Sequence, residues 1–232
     1  MNDSRRCSIF SSFVRLLQSL FYPHGCPGCG EEVREPGVLC GRCREKIWHP
    51  RSFHPESLGC PHVDGLFFLL DYAGAIQKAL WMAKFRGRED LLPRLGEEWL
   101  QGLRREQKFA WEFPPGVGLS VTGIPTDPDR RKQRGYDLPE EIFRPWCREA
   151  GYRWESLLVR NRPTRSQYGL TPEERKKNLK GCFTLVRQED LPDIVLLCDD
   201  ICTTGSTMEE GAKTLKQGGV ARVYGLALAS GN

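Results

Sequence analysis

The sequence predicts an α/β protein in which a mostly parallel sheet is flanked by helices, preceded by a small zinc ribbon or knuckle with four cysteines. Two apolar segments near the C-terminus, residues 194–198 and 220–229, are separated by a helical pattern. This strand–helix–strand order is typical of parallel sheets. The second observation is a pair of Cys-x-x-Cys sequences within residues 26–43. We therefore expect an N-terminal helix and metal module in residues 1–64 and the α/β domain in residues 65–232.

The composition is that of an ordinary globular protein. Of the 232 residues, 39% are apolar and 28% are charged, which excludes a disordered chain. The longest apolar run near the middle, Leu66–Leu70, is far shorter than the ~18 residues that a membrane span requires. We therefore expect no membrane span.

The N-terminal residues predict an amphipathic helix rather than a signal peptide. Arg5 and Arg6 precede an apolar stretch, but Arg15 and Gln18 interrupt it. The expected helix packs on the rest of the chain, with a membrane-surface anchor as the alternative. Without an export signal we expect a cytoplasmic protein, where paired cysteines favour metal over disulfides. The apolar residues that recur at helical spacing are Ile9, Phe10, Phe13, Leu16, Leu17, Leu20 and Phe21.

The four paired cysteines predict a structural zinc site. Cys26 and Cys29 form the first pair, and Cys40 and Cys43 form the second after ten intervening residues. Two such pairs can close a tetrahedron of thiolates around Zn²⁺, and four thiolates leave no coordination position for a substrate. Pro36-Gly37 marks a turn between the pairs. The alternative is four free cysteines or two redox pairs.

The remaining cysteines carry no such spacing. Whether Cys60 and His62, with His49 and His54 upstream, form a second metal site is left open by the sequence. The five others are predicted to be small packing residues. They are Cys7, Cys147, Cys182, Cys198 and Cys202.

The turn after the strand at residues 194–198 has the residues of a phosphate site. Gly205 lets the backbone approach an anion, and the start of the next helix supplies N–H groups and the positive end of a dipole. Hydroxyls surround this glycine, and Asp199 and Asp200 precede it as acceptors for two neighbouring sugar hydroxyls. Ribose 5-phosphate has both features. The alternative, a hydroxyl-rich helix cap, leaves the acidic pair unexplained. The hydroxyl residues are Thr203, Thr204, Ser206 and Thr207.

The positive charge lies in the central segment. Residues 120–180 hold 14 Lys+Arg and 9 Asp+Glu, so their net charge of +5 exceeds the net charge of +4 of the whole chain. The densest cluster, Arg130-Arg131-Lys132-Gln133-Arg134, is predicted in a loop after the strand at residues 119–124. Such a cluster can neutralise a polyanion, and the alternative is a solvated surface loop. Residues 160–180 are predicted to be a long loop with one helical turn, which could act as a lid.

Residues 194–207 resemble the PRPP-binding motif of type I phosphoribosyltransferases, an apolar run followed by Asp-Asp, a variable pair and Thr-Thr-Gly-x-Thr. The resemblance implies a type I phosphoribosyltransferase-like domain. Asp199 and Asp200 would then hold the ribose hydroxyls, and residues 203–207 would hold the 5-phosphate. The resemblance also implies a pyrophosphate loop, with residues Arg130, Arg131, Lys132, Arg134 and Gly135.

From the cysteine pairs to the C-terminus, the chain resembles the ComF/GntX competence family. The resemblance includes Lys84-Phe85-Arg86-Gly87 and the sequence Arg134-Gly135-Tyr136-Asp137, in which family members have Asn at the last position. The same resemblance implies a group of residues that form a lid or contact nucleic acid. They are Arg160, Arg165, Gln167, Arg175 and Asn178.

The resemblance implies a protein that binds PRPP or a related ribose phosphate with Mg²⁺ and serves DNA uptake in natural transformation. The reaction would be phosphoribosyl transfer, but no residue identifies a base or an acceptor, so a regulatory protein without turnover is an open alternative. A second alternative is a competence factor that binds single-stranded DNA, and other competence proteins are implied partners. The aromatic residues proposed for base stacking, with core packing as the alternative, are Tyr136, Trp146, Tyr152, Trp154 and Tyr168.

Overall fold

A computed structural model describes residues 24–34, 38–93, 95, 96, 99, 100, 118–165, 167 and 169–231. The N-terminal helix predicted from residues 9–21, Cys7, Tyr168 and the turn at Pro36-Gly37 lie outside these residues. The strands are β1 (His24–Gly25), β2 (Glu32–Val33), β3 (Trp48–Phe53), β4 (Gly65–Asp71), β5 (Leu119–Gly123), β6 (Arg153–Trp154), β7 (Leu158–Arg160), β8 (Phe183–Leu185), β9 (Ile194–Cys202) and β10 (Arg222–Ser230). The helices are α1 (Gly41–Ile47), α2 (Gly74–Phe85), α3 (Pro128–Arg134), α4 (Leu138–Ala150), α5 (Pro172–Leu179) and α6 (Ser206–Gln217). A 3₁₀ helix covers Pro55–Leu58.

The central sheet confirms the predicted fold class. Its six strands have the order β3-β4-β10-β9-β5-β6, and every neighbouring pair except β3–β4 is parallel. In β4, Phe67 and Leu69 belong to one hydrophobic cluster, whereas Leu66 and Phe68 belong to a second. Both faces of this strand are therefore buried, which explains its continuous apolar sequence.

Helices cover the two faces of the sheet. The first hydrophobic cluster includes Ile76 and Leu80 of α2 and Ile142 of α4, and the second includes Ala212 and Leu215 of α6. Residues 138–150 form one helix that continues through Pro145, where the sequence predicts a kink or two short helices. The buried face of α4 supplies tertiary packing, which outweighs the hydrogen bond that proline cannot make.

The N-terminal module is part of the same core. Cys26, Leu39 and Ile47 join the cluster that contains α2. The edge strand β3 lies before residue 65, in the part of the chain assigned to the N-terminal module, but it pairs antiparallel with β4 of the α/β domain. The division of the chain into residues 1–64 and 65–232 stays a prediction. Within the residues that the structure describes, no helix has the length and apolar character of a membrane span.

Four of the five cysteines predicted to be packing residues are buried in the core. Cys147, Cys182 and Cys198 are completely buried, and Cys202 is nearly so. Burial raises the pKa of Cys147 to about 12, and burial, with the charges of Asp199 and Cys60 adding to it, raises that of Cys202 to about 12. Neutral thiols of this kind behave as small apolar side chains.

Candidate functional site

The predicted phosphate turn lies at the carboxyl end of β9, between β9 and α6. The strand extends through the acidic pair to Cys202, beyond its apolar residues, because Asp199 and Ile201 continue the parallel register with Ala227 and Ala229 of β10. Gly205 ends the turn with φ +71° and precedes the first residue of α6. The first N–H groups of such a helix have no partner within the helix and can bind an anion.

The hydroxyl groups of the turn lie at the start of α6. Thr204 Oγ1 and Ser206 Oγ are 3.0 Å apart, within hydrogen-bond distance. Arg175 Nη1 of α5 donates to Thr203 Oγ1 at 2.8 Å. The turn therefore combines hydroxyl groups, a guanidinium and free helical N–H groups around one position.

Asp199 is buried and Asp200 is half-buried beside this turn, and Lys84 compensates part of their charge. Lys84 Nζ forms an ion pair with Asp200 Oδ2. Burial and the charge of Asp200 raise the pKa of Asp199 well above its ordinary value. Burial opposes ionisation of Asp200 as well, but the ammonium of Lys84 lowers the pKa of Asp200 below its ordinary value.

The turn and the acidic pair line a cavity of about 380 Å³. Thirteen of the residues predicted for ribose phosphate, pyrophosphate and lid contacts line it together. They are Asp199, Asp200, Thr203, Thr204, Gly205, Ser206, Thr207, Arg130, Arg134, Arg160, Arg165, Gln167 and Arg175. Lys84 and Phe85 also line it, and the sequence pointed to these two only through the family resemblance. The four predicted residues that do not line it are Arg131, Lys132, Gly135 and Asn178.

The basic segment after β5 is a helix, α3, where the sequence predicts a loop. Asp127 caps its start by accepting a hydrogen bond from the Asp129 N–H at 3.2 Å, and Gly135 ends it with φ +87°. A helix of seven residues with no buried face has no apolar periodicity to reveal it. Its geometry directs Arg130 and Arg134 to the cavity, while Lys132 is exposed and lies outside the cavity lining.

Asp137, which replaces the usual Asn of the family, has a structural role. Its Oδ1 accepts a hydrogen bond from the Thr126 N–H at 2.7 Å, and its Oδ2 forms an ion pair with Arg131 Nη1 at 3.1 Å. Arg131 is therefore directed away from the cavity lining. The carboxylate connects the end of β5 with the start of α4.

The predicted lid is a hairpin of β7 and β8 whose connection contains the two-turn helix α5. Thr171 and Glu174 form a capping box at the start of α5, so the helix is longer than the single turn expected. Asn178 holds the lid loop, because it accepts from the Arg165 N–H at 3.0 Å and donates to the Arg165 carbonyl at 2.9 Å. The Asp127 carboxylate accepts from the Thr164 N–H at 2.8 Å, which connects the lid to α3.

Gln167 is the lid residue with the clearest unmet hydrogen-bonding capacity. Both atoms of its side-chain amide are buried, and neither has a hydrogen-bond partner among the described residues. Buried amide groups are normally paired with protein, water or ligand. This side chain lines the cavity, so a bound ligand can supply its partners.

Cys60 contacts the phosphate turn, and His62 contacts the first turn of α6 that follows it. Cys60 is completely buried, and its Sγ donates to the Gly205 carbonyl at 3.5 Å. His62 Nδ1 is 2.5 Å from Glu209 Oε1, and the His62 N–H donates to Glu209 Oε2 at 3.1 Å. Glu209 lies in the first turn of α6. Among the described residues, the four paired cysteines are grouped closely enough to hold a metal ion, and Cys60 belongs to no such group of His, Cys, Asp or Glu side chains.

The four paired cysteines converge as the sequence predicts. The sulfur atoms of Cys26, Cys29, Cys40 and Cys43 all lie within 4.8 Å of one another, and those of Cys29 and Cys40 are 3.6 Å apart. Zn–S bonds of ~2.3 Å in a tetrahedron require sulfur separations near ~3.8 Å. The Cys40 N–H donates to Cys26 Sγ at 3.3 Å. Burial opposes ionisation of Cys26, but this and other backbone hydrogen bonds lower its pKa to about 7. The cluster fits Zn²⁺.

Of the aromatic residues proposed for base stacking, Trp146 is buried, and Tyr136, Tyr152 and Trp154 are partly buried against the core. Trp146 is buried and its ring contacts Tyr152, with ring centroids 4.9 Å apart. The hydroxyl of Tyr136 donates to the Ala83 carbonyl at 2.6 Å, and Trp154 packs against the first cluster. Among the residues that the structure describes, the large aromatic rings exposed to solvent belong to α2, where Trp81 is 45% and Phe85 is 64% exposed.

No family model matches this chain, but individual proteins of known name are similar to it over most of its length. The DNA utilization protein YhgH of Salmonella typhimurium is 28% identical over 219 residues, which cover 94% of this chain and 86% of that protein. The protein of the same name from Escherichia coli K12 has the same identity and coverage. Competence protein F of Haemophilus influenzae is 35% identical over 88% of this chain and 90% of its own.

One solved structure, the allosteric regulatory enzyme of purine biosynthesis, aligns with 61% of this chain at 18% identity and a TM-score of 0.34. The chain spans about a quarter of that protein, 25% of its length. The fold assignment therefore rests on the strand order and not on this likeness. The identity to competence protein F over nine-tenths of that protein, with the paired cysteines and the phosphate turn in place, shows that the chain belongs to the competence protein F family.

Proposed function

We propose that this protein binds PRPP or a related ribose 5-phosphate, with Mg²⁺, and serves DNA uptake. The observation that carries the proposal is the phosphate turn with a buried acidic pair directly before it, in one cavity of about 380 Å³. The relatives are named for DNA utilization and for competence, which supports the role in DNA uptake. The cytoplasmic location expected from the sequence is part of the same proposal.

The proposed ligand position follows from the chemistry of the cavity. The 5-phosphate lies on the N–H groups at the start of α6 and on the hydroxyls of residues 203–207, where the helix dipole favours negative charge. The ribose then lies over Asp199 and Asp200, whose carboxylates accept hydrogen bonds from its two neighbouring hydroxyls. The ionised form of Asp200 is favoured because Lys84 lowers its pKa, and an ionised acceptor makes such a hydrogen bond strong.

The cations around the cavity suit a pyrophosphate group. Arg130 and Arg134 reach it from α3, and Arg165 and Arg175 reach it from the lid. Guanidinium groups bind phosphate oxygens with paired N–H donors. Burial lowers the pKa of Arg134 because its charged form is incompletely solvated. A bound polyanion would therefore stabilise the charge of this guanidinium. Mg²⁺ bound with the ligand would supply further neutralisation of the departing pyrophosphate.

The acidic pair fits a divalent cation bound together with a ribose diol. Asp199 and Asp200 offer four carboxylate oxygens, the ligand type that Mg²⁺ prefers. The structure also shows Lys84 on Asp200, so this carboxylate already binds a cation. In the proposed complex, Asp200 is the carboxylate at which the ligand or its metal replaces Lys84.

Phosphoribosyl transfer is the reaction that we propose. The ribose carbon develops positive charge while pyrophosphate departs, and preorganised cations around the leaving group lower the barrier. Incubation with PRPP, Mg²⁺ and a panel of bases and amines tests turnover by pyrophosphate release. Pyrophosphate release in the presence of an acceptor supports transfer, whereas PRPP binding without release with any acceptor supports a regulatory role.

Calorimetric titration with PRPP and Mg²⁺ tests the binding proposal. Asp199→Asn and Asp200→Asn are expected to weaken binding by at least about tenfold each, since hydrogen bonds to charged groups contribute about 1.5–3 kcal/mol. Asp193→Asn is the matched control, because Asp193 is exposed just before the other end of β9. Equal affinity in the wild type and both cavity variants would contradict the proposal.

A second function is favoured by the exposed aromatic residues of α2. Trp81 and Phe85 have ring centroids 6.2 Å apart. A guanidinium lies over each ring, Arg86 at 5.0 Å from the Trp81 centroid and Arg134 at 5.6 Å from that of Phe85. Exposed aromatic rings beside arginines are a surface on which single-stranded DNA can stack. We propose that this surface contacts DNA.

Fluorescence anisotropy with a labelled oligothymidylate tests this second function. The double variant Trp81→Ala with Phe85→Ala is expected to lose at least about tenfold in affinity, because stacking contributes about 1–3 kcal/mol per base. Val186→Ala is the control, because Val186 is also an exposed apolar residue, 58% accessible, in another part of the chain. An unchanged affinity in the double variant would contradict the assignment of this surface.

A further inference from the structure

Lys84 is a cation of the cavity that contacts the acidic pair directly. Its Nζ forms an ion pair with Asp200 Oδ2, and the two side chains are 22% and 14% exposed. It lies at the C-terminal end of α2, on a different element from the phosphate turn and the basic helix. In the sequence, Lys84 is marked only by its place in Lys84-Phe85-Arg86-Gly87.

The main chain that carries Lys84 is fixed by the Arg-Gly-aromatic sequence. Arg134 Nε donates to the Lys84 carbonyl at 3.1 Å, and the Tyr136 hydroxyl donates to the Ala83 carbonyl at 2.6 Å. The last carbonyls of a helix have no partner within the helix. Arg134 and Tyr136 therefore cap α2 and hold the backbone of Lys84 opposite Asp200, which gives Arg134 a role besides the proposed contact with pyrophosphate.

Lys84 also lies between two cavities. Besides the cavity of the phosphate turn, it lines a second one of about 490 Å³. The two cavities share Lys84, Phe85, Arg130 and Arg134. A lysine side chain is flexible and carries a compact charge. Its ammonium can therefore leave Asp200 and remain among the cations that line both cavities, without a change in α2.

We infer that Lys84 is an internal counter-cation that occupies Asp200 when the site has no ligand and competes with the ribose diol or a divalent cation for that carboxylate. After displacement, the ammonium binds the anionic leaving group at the boundary of the two cavities. The inference rests on the proposed function for the identity of the ligand. The competition between two cations at Asp200 does not require the ribose phosphate.

Binding of Mn²⁺ without any ribose phosphate tests the competition. Lys84→Met keeps the length of the side chain and removes its charge, so Mn²⁺ no longer has to displace an ammonium. Because the ammonium of Lys84 attracts the Asp200 carboxylate at contact distance, we expect its removal to make Mn²⁺ bind at least about tenfold more tightly, measured by electron paramagnetic resonance of free Mn²⁺. Lys84→Arg keeps the charge and is expected to remain near the wild type.

Two further variants separate this role from a merely structural one. Lys78→Met removes an exposed lysine from the same helix and is expected to leave Mn²⁺ binding unchanged. Adding Asp200→Asn to Lys84→Met removes the carboxylate and is expected to abolish the gain. Equal Mn²⁺ affinity in the wild type and Lys84→Met would overturn the inference, as would absence of Mn²⁺ binding to both proteins.

Titration with PRPP and Mg²⁺ then distinguishes the failure of this inference from that of the proposed function. Lys84→Met is expected to bind PRPP at least about threefold more weakly while it binds Mn²⁺ more tightly, because the leaving group loses a cation. Tighter Mn²⁺ binding with no PRPP binding to the wild type would contradict the proposed function and leave the competition standing. Wild-type PRPP binding with unchanged Mn²⁺ affinity would contradict the inference alone.

Discussion

Substitution of Gly205 by alanine perturbs the phosphate turn at its most constrained point. Gly205 has φ +71°, and a Cβ added to it would lie 2.3 Å from Cys60 Sγ. The left-handed conformation costs a residue with a Cβ about 1–2 kcal/mol. Overpacking of a buried contact adds about 1–3 kcal/mol. Gly205→Ala is therefore expected to lower the free energy of unfolding by about 2–5 kcal/mol.

Thermal unfolding measures this loss, and a second glycine isolates the steric part. A destabilisation of this size lowers the melting temperature of a chain of this length by about 10 °C. Gly151 has φ +77° with no atom within 4 Å of an added Cβ. Gly151→Ala therefore reports the cost of the conformation alone. The difference between the two variants gives the cost of the contact with Cys60.

The contact with Cys60 also predicts a coupling between the two positions. Cys60→Ala removes the sulfur that an alanine at position 205 would meet, so the double variant is expected to be less destabilised than the sum of the two single changes by about 1–3 kcal/mol. Equal destabilisation by Gly205→Ala and Gly151→Ala, together with strict additivity in the double variant, would refute the role of Cys60 as the support of the turn.

Three other predictions concern the metal cluster and two carboxylates. Cys26→Ser is expected to abolish bound zinc in elemental analysis, whereas the buried control Cys182→Ser retains it. Asp137→Asn is expected to lower the free energy of unfolding, measured by urea denaturation, by less than about 1 kcal/mol, because the Arg131 partner is 59% exposed. A larger loss would contradict this expectation. Burial opposes ionisation of Glu155, but hydrogen bonds from Ser120 and Arg187 lower its pKa below the ordinary 4.5. The contribution of Glu155 to the free energy of unfolding is therefore complete above pH 4.5. It is lost as the pH falls through the lower pKa of the folded state. Glu155→Gln is expected to remove this dependence of the free energy of unfolding on pH below pH 4.5.

Features encoded by a few adjacent residues could be predicted from the sequence. The cysteine pairs converge because each Cys-x-x-Cys hook is local and the two hooks are separated by only ten residues. The phosphate turn follows a buried strand and begins a helix, and both elements have clear apolar patterns. The carboxyl end of a parallel strand is where such sheets bind ligands, so the location of the site followed as well.

Features that depend on distant contacts could not be predicted. Lys84 is 116 residues from Asp200, and Cys60 is 145 residues from Gly205, so no local pattern connects them. Helix α3 was missed because its seven residues bury no face. The burial of Trp146 and the exposure of Phe85 depend on which helix face meets the sheet, which the aromatic content of a segment does not determine.

The central claim is that the phosphate turn and the acidic pair bind a ribose phosphate together. Calorimetric titration of the wild type with ribose 5-phosphate and with 2-deoxyribose 5-phosphate tests it most directly, since the two ligands differ by one hydroxyl. We expect ribose 5-phosphate to bind at least about tenfold more tightly, since a hydrogen bond to a charged group contributes about 1.5–3 kcal/mol, and Asp200→Asn to reduce this preference. Equal binding of the two sugars, or binding of neither, would contradict the claim.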